Sequence, residues 1–145
     1  MSERSWLRFD ADLKDLTAIR QFVEDASKDG AGDSNSIQDM LIAVNEAITN
    51  VIIHGYLGQP GMIEVEVSYD NHDLVVRLLD QAPIFDPTTV PSPKIPPALD
   101  QPYLGGMGIH MMRQLTDNMI YTTTCDGRNE LILIKKVVLH QRNEP

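Results

Sequence analysis

The stretch that decides the fold runs from residue 37 to residue 54 and reads IQDMLIAVNEAITNVIIH. Its apolar residues recur at steps of three and four, which is the spacing of one face of an α-helix. On a helical wheel they form a stripe about 120° wide, as a core-facing helix requires. The stripe consists of Ile37, Met40, Leu41, Val44, Ile48, Val51 and Ile52. The pattern predicts a helix from about Ser36 to His54 with one side buried.

The other side of this helix carries three polar residues, Glu46, Asn50 and His54, at steps of four. Because Ile42 and Ile53 flank Glu46, this side differs from an ordinary solvated face. We interpret it as a surface positioned against something else. The alternatives are an exposed face with accidental spacing and a metal site. The metal site is disfavoured because Asn is a poor ligand for soft metals and no Cys or second His joins the row.

Helix and strand patterns alternate on either side of this segment. Apolar residues from Leu13 to Ala26 predict an earlier helix, which glycines at 30 and 32 end. Alternating residues predict strands at 6–9, 63–69, 74–80, 119–124 and 131–138, the last four forming two hairpins. A third helix is expected after Gly108. The class is therefore α+β, and 145 residues correspond to a single domain, 1–145.

Composition narrows the range of partners. The formal net charge is −9, from 12 Lys and Arg against 21 Asp and Glu, which disfavours sequence-independent binding to nucleic acid. No apolar run reaches the roughly 20 residues of a membrane helix, and the amino terminus lacks a secretory signal. The single cysteine, Cys125, fits a reducing compartment. We expect a cytoplasmic protein with neither a nucleic-acid nor a membrane partner.

A proline-rich segment interrupts the regular patterns. Seven of the nine prolines lie between residues 83 and 102, so this segment forms neither a helix nor a central strand. It ends in Gly105-Gly106-Met107-Gly108. A long loop of this kind is either a linker or a functional lid, here at about residues 87–104.

The glycines that follow the proline-rich segment suit a phosphate group. Gly106-x-Gly108 is not a dinucleotide fingerprint, because residue 111 is Met, and no Gly-Lys pair forms a Walker A loop. A glycine-rich turn that opens a helix still exposes backbone N–H groups to an anion. In so acidic a protein a cation such as Mg²⁺, held by the oxygen of Asn50, would assist. Asp80 ends a strand. Its carboxylate either accepts a hydrogen bond from an exocyclic amine of a ligand or forms a turn before Pro83.

Three segments together resemble, in order and spacing, the N-box and two glycine boxes of the GHKL ATPases. They are Glu46-x-x-x-Asn50-x-x-x-His54-Gly55-Tyr56, Asp80-x-Ala82-Pro83-x-Phe85-Asp86-Pro87 and Gly105-Gly106-Met107-Gly108-Ile109-His110. The chain is most similar to the small anti-sigma-factor serine/threonine kinases, and a Gly127-x-Asn129-x-Leu131 hairpin adds to the resemblance. The resemblance to this family implies the Bergerat two-layer α/β sandwich, with three helices on one face of a mixed, mostly antiparallel sheet.

The resemblance also implies roles for individual residues. Asn50 matches the magnesium ligand, Glu46 the general base, and Asp80 the adenine-binding carboxylate. The implied cofactor-binding positions are Asn50, His54, Asp80, Ala82, Phe85, Gly105, Gly106, Met107, Gly108, Ile109 and His110. Ala82 departs from the glycine that is common in the family, and its methyl group fits there unless φ is positive.

The function implied by the resemblance is an ATP- and Mg²⁺-dependent regulatory kinase. It would phosphorylate a Ser or Thr of a STAS-like antagonist protein, sequester a sigma factor and form a homodimer. The alternative is a partner-switching module that binds ATP without phosphotransfer. The catalytic half of a histidine kinase is disfavoured, because none of the histidines lies in an added pair of dimerisation helices.

Overall fold

Five strands form one open sheet in the computed structural model, which describes residues 4–91 and 107–139. In chain order they are β1 (Ser5–Asp10), β2 (Met62–Asp70), β3 (Asp73–Asp80), β4 (Asn118–Thr123) and β5 (Asn129–Lys136). Their order across the sheet is β1-β2-β3-β5-β4, and all four neighbouring pairs are antiparallel. Both hairpin turns contain a residue with positive φ, Asn71 at 56° and Gly127 at 82°, residue types that tolerate this conformation.

Three helices cover one face of the sheet. They are α1 (Leu16–Asp29), α2 (Ser34–Asn50) and α3 (Met107–Leu115). Side chains alternate along each strand, so Ile63, Val65 and Val67 of β2 are buried beneath the helices, with Val76 and Leu133 on neighbouring strands. The prediction of three helices on a mostly antiparallel sheet is confirmed.

The opposite face of the sheet carries charged side chains in ion pairs. Glu64 lies between Arg8 and Arg128, with N–O distances of 2.8 and 3.1 Å. Arg77 of β3 forms an ion pair with Glu130 of the neighbouring strand β5, at an N–O distance of 2.6 Å. These cross-strand pairs explain why strands with a buried apolar face also carry charged residues.

The carboxylate of Asp33 joins the start of α2 to the segment that follows β5. Asp33 is the N-cap residue of α2, and one of its oxygens accepts from the Ser36 amide at 3.0 Å. The other oxygen accepts from the Val138 amide at 2.9 Å. The bonds from Val138 and Ser36 lower the pKa of Asp33, because both favour its ionised form.

The predicted helices and strands are present, with some bounds shifted. The helix expected to reach His54 is α-helical to Asn50 and continues as one π-helical turn, Val51–Gly55. Leu13 begins a 3₁₀ turn ahead of α1 and is 51% exposed, so it does not join the buried face. Within residues 4–91 and 107–139 no helix combines the length and apolar character needed to cross a membrane. Residues 92–104 of the predicted lid lie outside the described residues.

Candidate functional site

A cavity of about 660 Å³ lies beside the carboxyl end of α2. Its walls come from α2 and the turn after it, from the loop that follows β3, from the first turns of α3, and from β4 and β5. A cavity of this size, with polar groups placed on a largely apolar wall, is typical of a small-molecule site.

The polar row of α2 forms one wall of this cavity. Glu46, Asn50 and His54 all line it; the first two are half-buried and His54 is exposed. The π-helical turn starts directly after Asn50, and its defining bond runs from the Tyr56 amide to the Val51 carbonyl at 2.8 Å. Such turns are rare and occur frequently at functional sites.

Tyr56 fastens this turn to the sheet. Its hydroxyl donates to the Met62 carbonyl at 2.7 Å and accepts from the Gln81 amide at 2.8 Å. The side chain thereby connects the end of the α2 segment with the residue that follows Asp80. Burial raises the pKa of Tyr56, so its hydroxyl remains a proton donor at neutral pH.

Ala82 meets Gly55 across the cavity floor. A Cβ atom built on Gly55 would lie 2.9 Å from the Ala82 methyl carbon, closer than two such carbons approach. Ala82 is not among the residues with positive φ, so its methyl group causes no backbone strain. The alanine that departs from the family pattern is therefore accommodated by a glycine on the opposite wall.

Gly108 at the start of α3 lies against the Glu46 carboxylate. A Cβ atom on Gly108 would stand 2.6 Å from Glu46 Oε2. The missing side chain lets the backbone of α3 approach the carboxylate directly. First-turn N–H groups of a helix lack intrahelical partners, so this end of the cavity suits an anion.

Asp80 also lines the cavity and is 7% exposed. Its Oδ1 accepts from the Asn129 side-chain amide at 2.9 Å and from the Ala82 backbone amide at 3.0 Å. Burial raises the pKa of Asp80, although both hydrogen bonds act in the opposite direction. No bond from the described residues occupies Oδ2, which leaves that oxygen to accept from a ligand.

Apolar side chains make up much of the remaining cavity lining. Ile109, Met112 and Leu131 are buried there, whereas Ile84 and Phe85 are more than half exposed at the rim. A planar aromatic ring would remove these surfaces from water, with its polar edge directed at Asp80.

The structure brings most of the predicted site residues into one cavity. Glu46, Asn50, His54, Asp80, Ala82, Phe85, Gly108 and Ile109 all line it. Met107 and His110 are not part of its lining, and the buried Nδ1 of His110 has no hydrogen-bond partner among the described residues. Gly105 and Gly106 lie outside the described residues. Ligand binding by these residues stays a prediction.

Asn129 and Tyr121 were not predicted as site residues, although both line the cavity. Asn129 stands directly across the β3–β5 pairing from Asp80. The Gly127-x-Asn129-x-Leu131 hairpin was a signal for this position, but only the strand register shows that Asn129 contacts Asp80.

The cavity contains oxygen atoms that could bind a metal ion, but its described residues do not supply a complete set of metal ligands. No group of three or more His, Cys, Asp or Glu residues that could hold a metal occurs in the described parts of the chain. Asn50 and Glu46 present hard oxygen atoms on one wall. This set fits Mg²⁺, which takes one or two side-chain oxygens and completes its shell with phosphate oxygens and water.

Similarity to known proteins extends over most of the chain. Residues 9–135 match the model of the family described as histidine kinase-like ATPase domain. The serine/threonine-protein kinase BtrW of Bordetella bronchiseptica is 27% identical over 95 residues, which cover 65% of this chain and 66% of BtrW. An anti-sigma F factor of Clostridium botulinum is 30% identical over 105 residues, 70% of this chain and 72% of that protein.

A solved structure shows the same fold. The chain containing the RsbU and RsbW domains of Rv1364c from Mycobacterium tuberculosis matches with a TM-score of 0.67 at 16% identity, over 97% of this chain and 33% of that one. The family model covers nearly the whole chain, including α2, the loop after β3 and α3. The chain belongs to the histidine kinase-like (GHKL) ATPase domain family.

Proposed function

We propose that this protein binds ATP with Mg²⁺ in the cavity and transfers the γ-phosphoryl group to a Ser or Thr of a partner protein. The observation that supports this most is that the buried carboxylate of Asp80 lines the same cavity as Glu46, Asn50 and Gly108. Apolar side chains line the same cavity, which suits the base of a nucleoside triphosphate.

The adenine end depends on Asp80. Its free Oδ2 would accept from the exocyclic amine of adenine, while Ile109, Met112 and Leu131 cover the faces of the ring. A buried carboxylate without such a donor is costly, so the site favours a base with an amine over one with a carbonyl at that position.

Charge neutralisation at the phosphate end has to come from a source other than lysine or arginine side chains of the described residues. Neither Lys nor Arg lines the cavity in the described residues, and the protein carries a net charge of −9. Asn50 would therefore hold Mg²⁺ through its side-chain oxygen, and the backbone beside Gly108 would donate to phosphate oxygens. When bound, Mg²⁺ supplies neutralisation of the charge that develops on the transferred group.

Glu46 would act as the general base. Its carboxylate lies in contact distance of the Gly108 backbone, one helical turn before Asn50. From there it would accept the proton of an attacking hydroxyl group while Asn50 and the α3 backbone hold the phosphates. Positioning and charge neutralisation account for most of the rate enhancement in such a transfer.

The partners proposed for this chain follow its relatives. One relative is named a serine/threonine-protein kinase and others are named anti-sigma F factors. We propose a STAS-like antagonist protein as the phosphate acceptor and a sigma factor as the sequestered partner. A homodimer in the cytoplasm is the assembly that we expect for this role.

Titration with ATP and Mg²⁺ tests nucleotide binding. Asn50→Ala should weaken ATP binding in Mg²⁺ by about tenfold or more, since it removes a charge-assisted contact. Asn45→Ala is the matched control, because Asn45 lies on α2 outside the cavity. Equal affinities of wild type and Asn50→Ala would contradict the proposal.

Labelled ATP separates the kinase from the binding module without phosphotransfer. Glu46→Gln keeps the size of the side chain and should retain ATP affinity within about threefold, while transfer to the antagonist falls by at least about 100-fold. Wild-type protein that binds ATP but labels no candidate antagonist would favour the binding module instead.

A further inference from the structure

The side chain of Asn129 is the most heavily hydrogen-bonded group at the cavity. It is 6% exposed and stands at the start of β5, across from Asp80. Its Nδ2 donates to Asp80 Oδ1 at 2.9 Å, to the Ala82 carbonyl at 3.0 Å and to the Pro83 carbonyl at 3.3 Å. Its Oδ1 accepts from the Phe85 amide at 3.2 Å and from the Tyr121 hydroxyl.

These contacts use the whole hydrogen-bonding capacity of a carboxamide. Two N–H hydrogens serve three oxygen acceptors, and both lone pairs of Oδ1 are engaged. Asn129 therefore has no donor or acceptor left for a ligand, although its residue lines the cavity. Any effect it has on a ligand must pass through the groups that it holds.

The groups that Asn129 holds are the ones that shape the base-binding end. Asp80 Oδ1 is fixed by Asn129 and by the Ala82 amide, while Oδ2 has no hydrogen-bond partner among the described residues. The bonds to Pro83 and Phe85 fix the loop that carries the rim of the apolar wall. One side chain thus connects the carboxylate and the loop.

We propose that Asn129 is the positioning residue for base recognition, which sets the orientation of Asp80 and locks residues 82–85 to it as one rigid unit. The ligand in this inference rests on the proposed function. The hydrogen-bonded unit itself is a property of the protein without ligand, so the two are tested separately.

Several titratable groups surround Asp80. Tyr56 approaches from the segment after α2, and Tyr121 from β4. Burial is the largest cause that raises the pKa of both hydroxyls, and the charge of Asp80 adds to it, together with the charge of Asp86 for Tyr121. Glu46 and His54 face the same cavity from α2 and its π-helical turn. Experiments on Asp80 must therefore compare a variant with wild type at each pH, because these groups are common to both proteins.

Asn129→Asp is the decisive substitution, because it keeps the shape and replaces the donor by an oxygen. At neutral pH the new carboxylate would face Asp80 and two carbonyl oxygens, and the two carboxylates would repel each other. On acidification the pair would bind one proton, and the resulting O–H group would again donate a hydrogen bond between residues 129 and 80. We expect ATP·Mg²⁺ affinity to be at least about 30-fold below wild type at pH 8 and within about fivefold at pH 5.5. The ratio cancels the titration of ATP itself.

Asn118→Asp is the matched control for this series. It makes the same exchange at an exposed position of β4 that does not line the cavity. Its affinity should stay within about threefold of wild type at both pH values, because the hydrogen bond between Asn129 and Asp80 is kept. A ratio for Asn129→Asp that does not change with pH would overturn the proposal, because a merely structural defect has no reason to recover on acidification.

A titration of the wild-type protein without nucleotide tests the unit directly. Nuclear magnetic resonance would follow the Asp80 carboxyl carbon, the Asn129 side-chain nitrogen and the Phe85 backbone nitrogen against pH. The three signals should share one midpoint, above the ordinary value of 3.8 for Asp. An Asn129 or Phe85 signal that does not shift when Asp80 is protonated would overturn the inference. Because this titration uses wild-type protein, it decides the question also if Asn129→Asp fails to fold. If ATP does not bind at all, the proposed function fails and this result still decides on the rigid unit.

Discussion

Asp80 has an ionisable carboxyl group that is almost completely buried, and burial disfavours the charged form of such a group. Asn129 and the Ala82 amide compensate part of the cost of its charge, but burial prevails and the pKa is raised. Perturbed carboxyl groups of this kind are concentrated at binding and catalytic sites. The protein thus retains a locally unfavourable charge at the position where a ligand donor would compensate it.

The raised pKa of Asp80 predicts how stability depends on pH. Between 3.8 and the raised value the native state binds more protons than the unfolded state, so wild-type protein loses stability as pH rises through that interval. Asp80→Asn keeps an oxygen for Asn129 and has no charge to bury. The free energy of unfolding of Asp80→Asn relative to wild type should therefore rise with pH across the interval and level off above it.

Urea unfolding of both proteins at a series of pH values measures this difference. Asp70→Asn is the control, since Asp70 is exposed at the end of β2. A difference between Asp80→Asn and wild type that falls as pH rises would contradict the assignment of a raised pKa to Asp80.

At the scale of elements, the contact between α3 and α2 predicts opposite effects on stability and activity. A methyl group in Gly108→Ala would displace the flexible Glu46 carboxylate, which Cβ would approach to 2.6 Å. Ala favours a helix over Gly, so the free energy of unfolding should stay equal or rise by up to about 1 kcal/mol. Phosphotransfer should fall by about tenfold or more, because Glu46, the proposed general base, would be displaced.

The cause of that loss can be isolated by a double-mutant cycle. In a Glu46→Gln background, Gly108→Ala should reduce the residual phosphotransfer far less than it does in wild type. Equal losses in both backgrounds would show that Gly108 acts through the phosphates or the fold and not through Glu46.

The contact between Gly55 in the π-helical turn and Ala82 in the loop after β3 has room for one methyl group. We predict that either of these two residues can carry it. Gly55→Ala brings two methyl carbons to 2.9 Å and should destabilise the protein by about 1–3 kcal/mol. Adding Ala82→Gly to that variant should recover about 1 kcal/mol or more, whereas Ala82→Gly alone should be destabilising by about 0.4–1 kcal/mol. Thermal and urea unfolding of the three variants checks the exchange; additive losses would contradict the contact.

The same elements show what the sequence can predict. The apolar stripe of α2 and its row of Glu46, Asn50 and His54 were predictable, because helical periodicity is a local property. The π-helical turn was not, since it forms where Tyr56 is anchored to distant residues of the sheet. The contact of Asn129 with Asp80 depends on strand register, which no local pattern specifies.

At the scale of the whole molecule, the cavity is assembled from segments that are far apart in the chain. Its walls include residues near positions 50, 80, 108 and 129, on both sides of the proline-rich segment. A ligand that contacts all of them binds the folded chain and not the unfolded one. Nucleotide binding is therefore expected to stabilise the protein as a unit.

ATP with Mg²⁺ should raise the thermal midpoint in a way that Mg²⁺ alone does not. At 100 times the dissociation constant the stabilisation is about 2.7 kcal/mol, which corresponds to roughly 5–10 °C for a domain of this size. Differential scanning calorimetry of wild type and Asn50→Ala, with AMP as a ligand that lacks the β- and γ-phosphates, measures it. Identical midpoints with ATP·Mg²⁺ and with Mg²⁺ alone would contradict the expected binding.

The bond from Val138 to Asp33 has a practical consequence for engineering this protein. Cargo attached shortly after residue 139 would pull on the cap of α2, the helix whose far end carries Asn50. Affinity tags and fluorescent reporters inserted there therefore need a long flexible spacer. A rigid fusion would distort α2 from the end opposite Asn50 and imitate a defect in ATP binding.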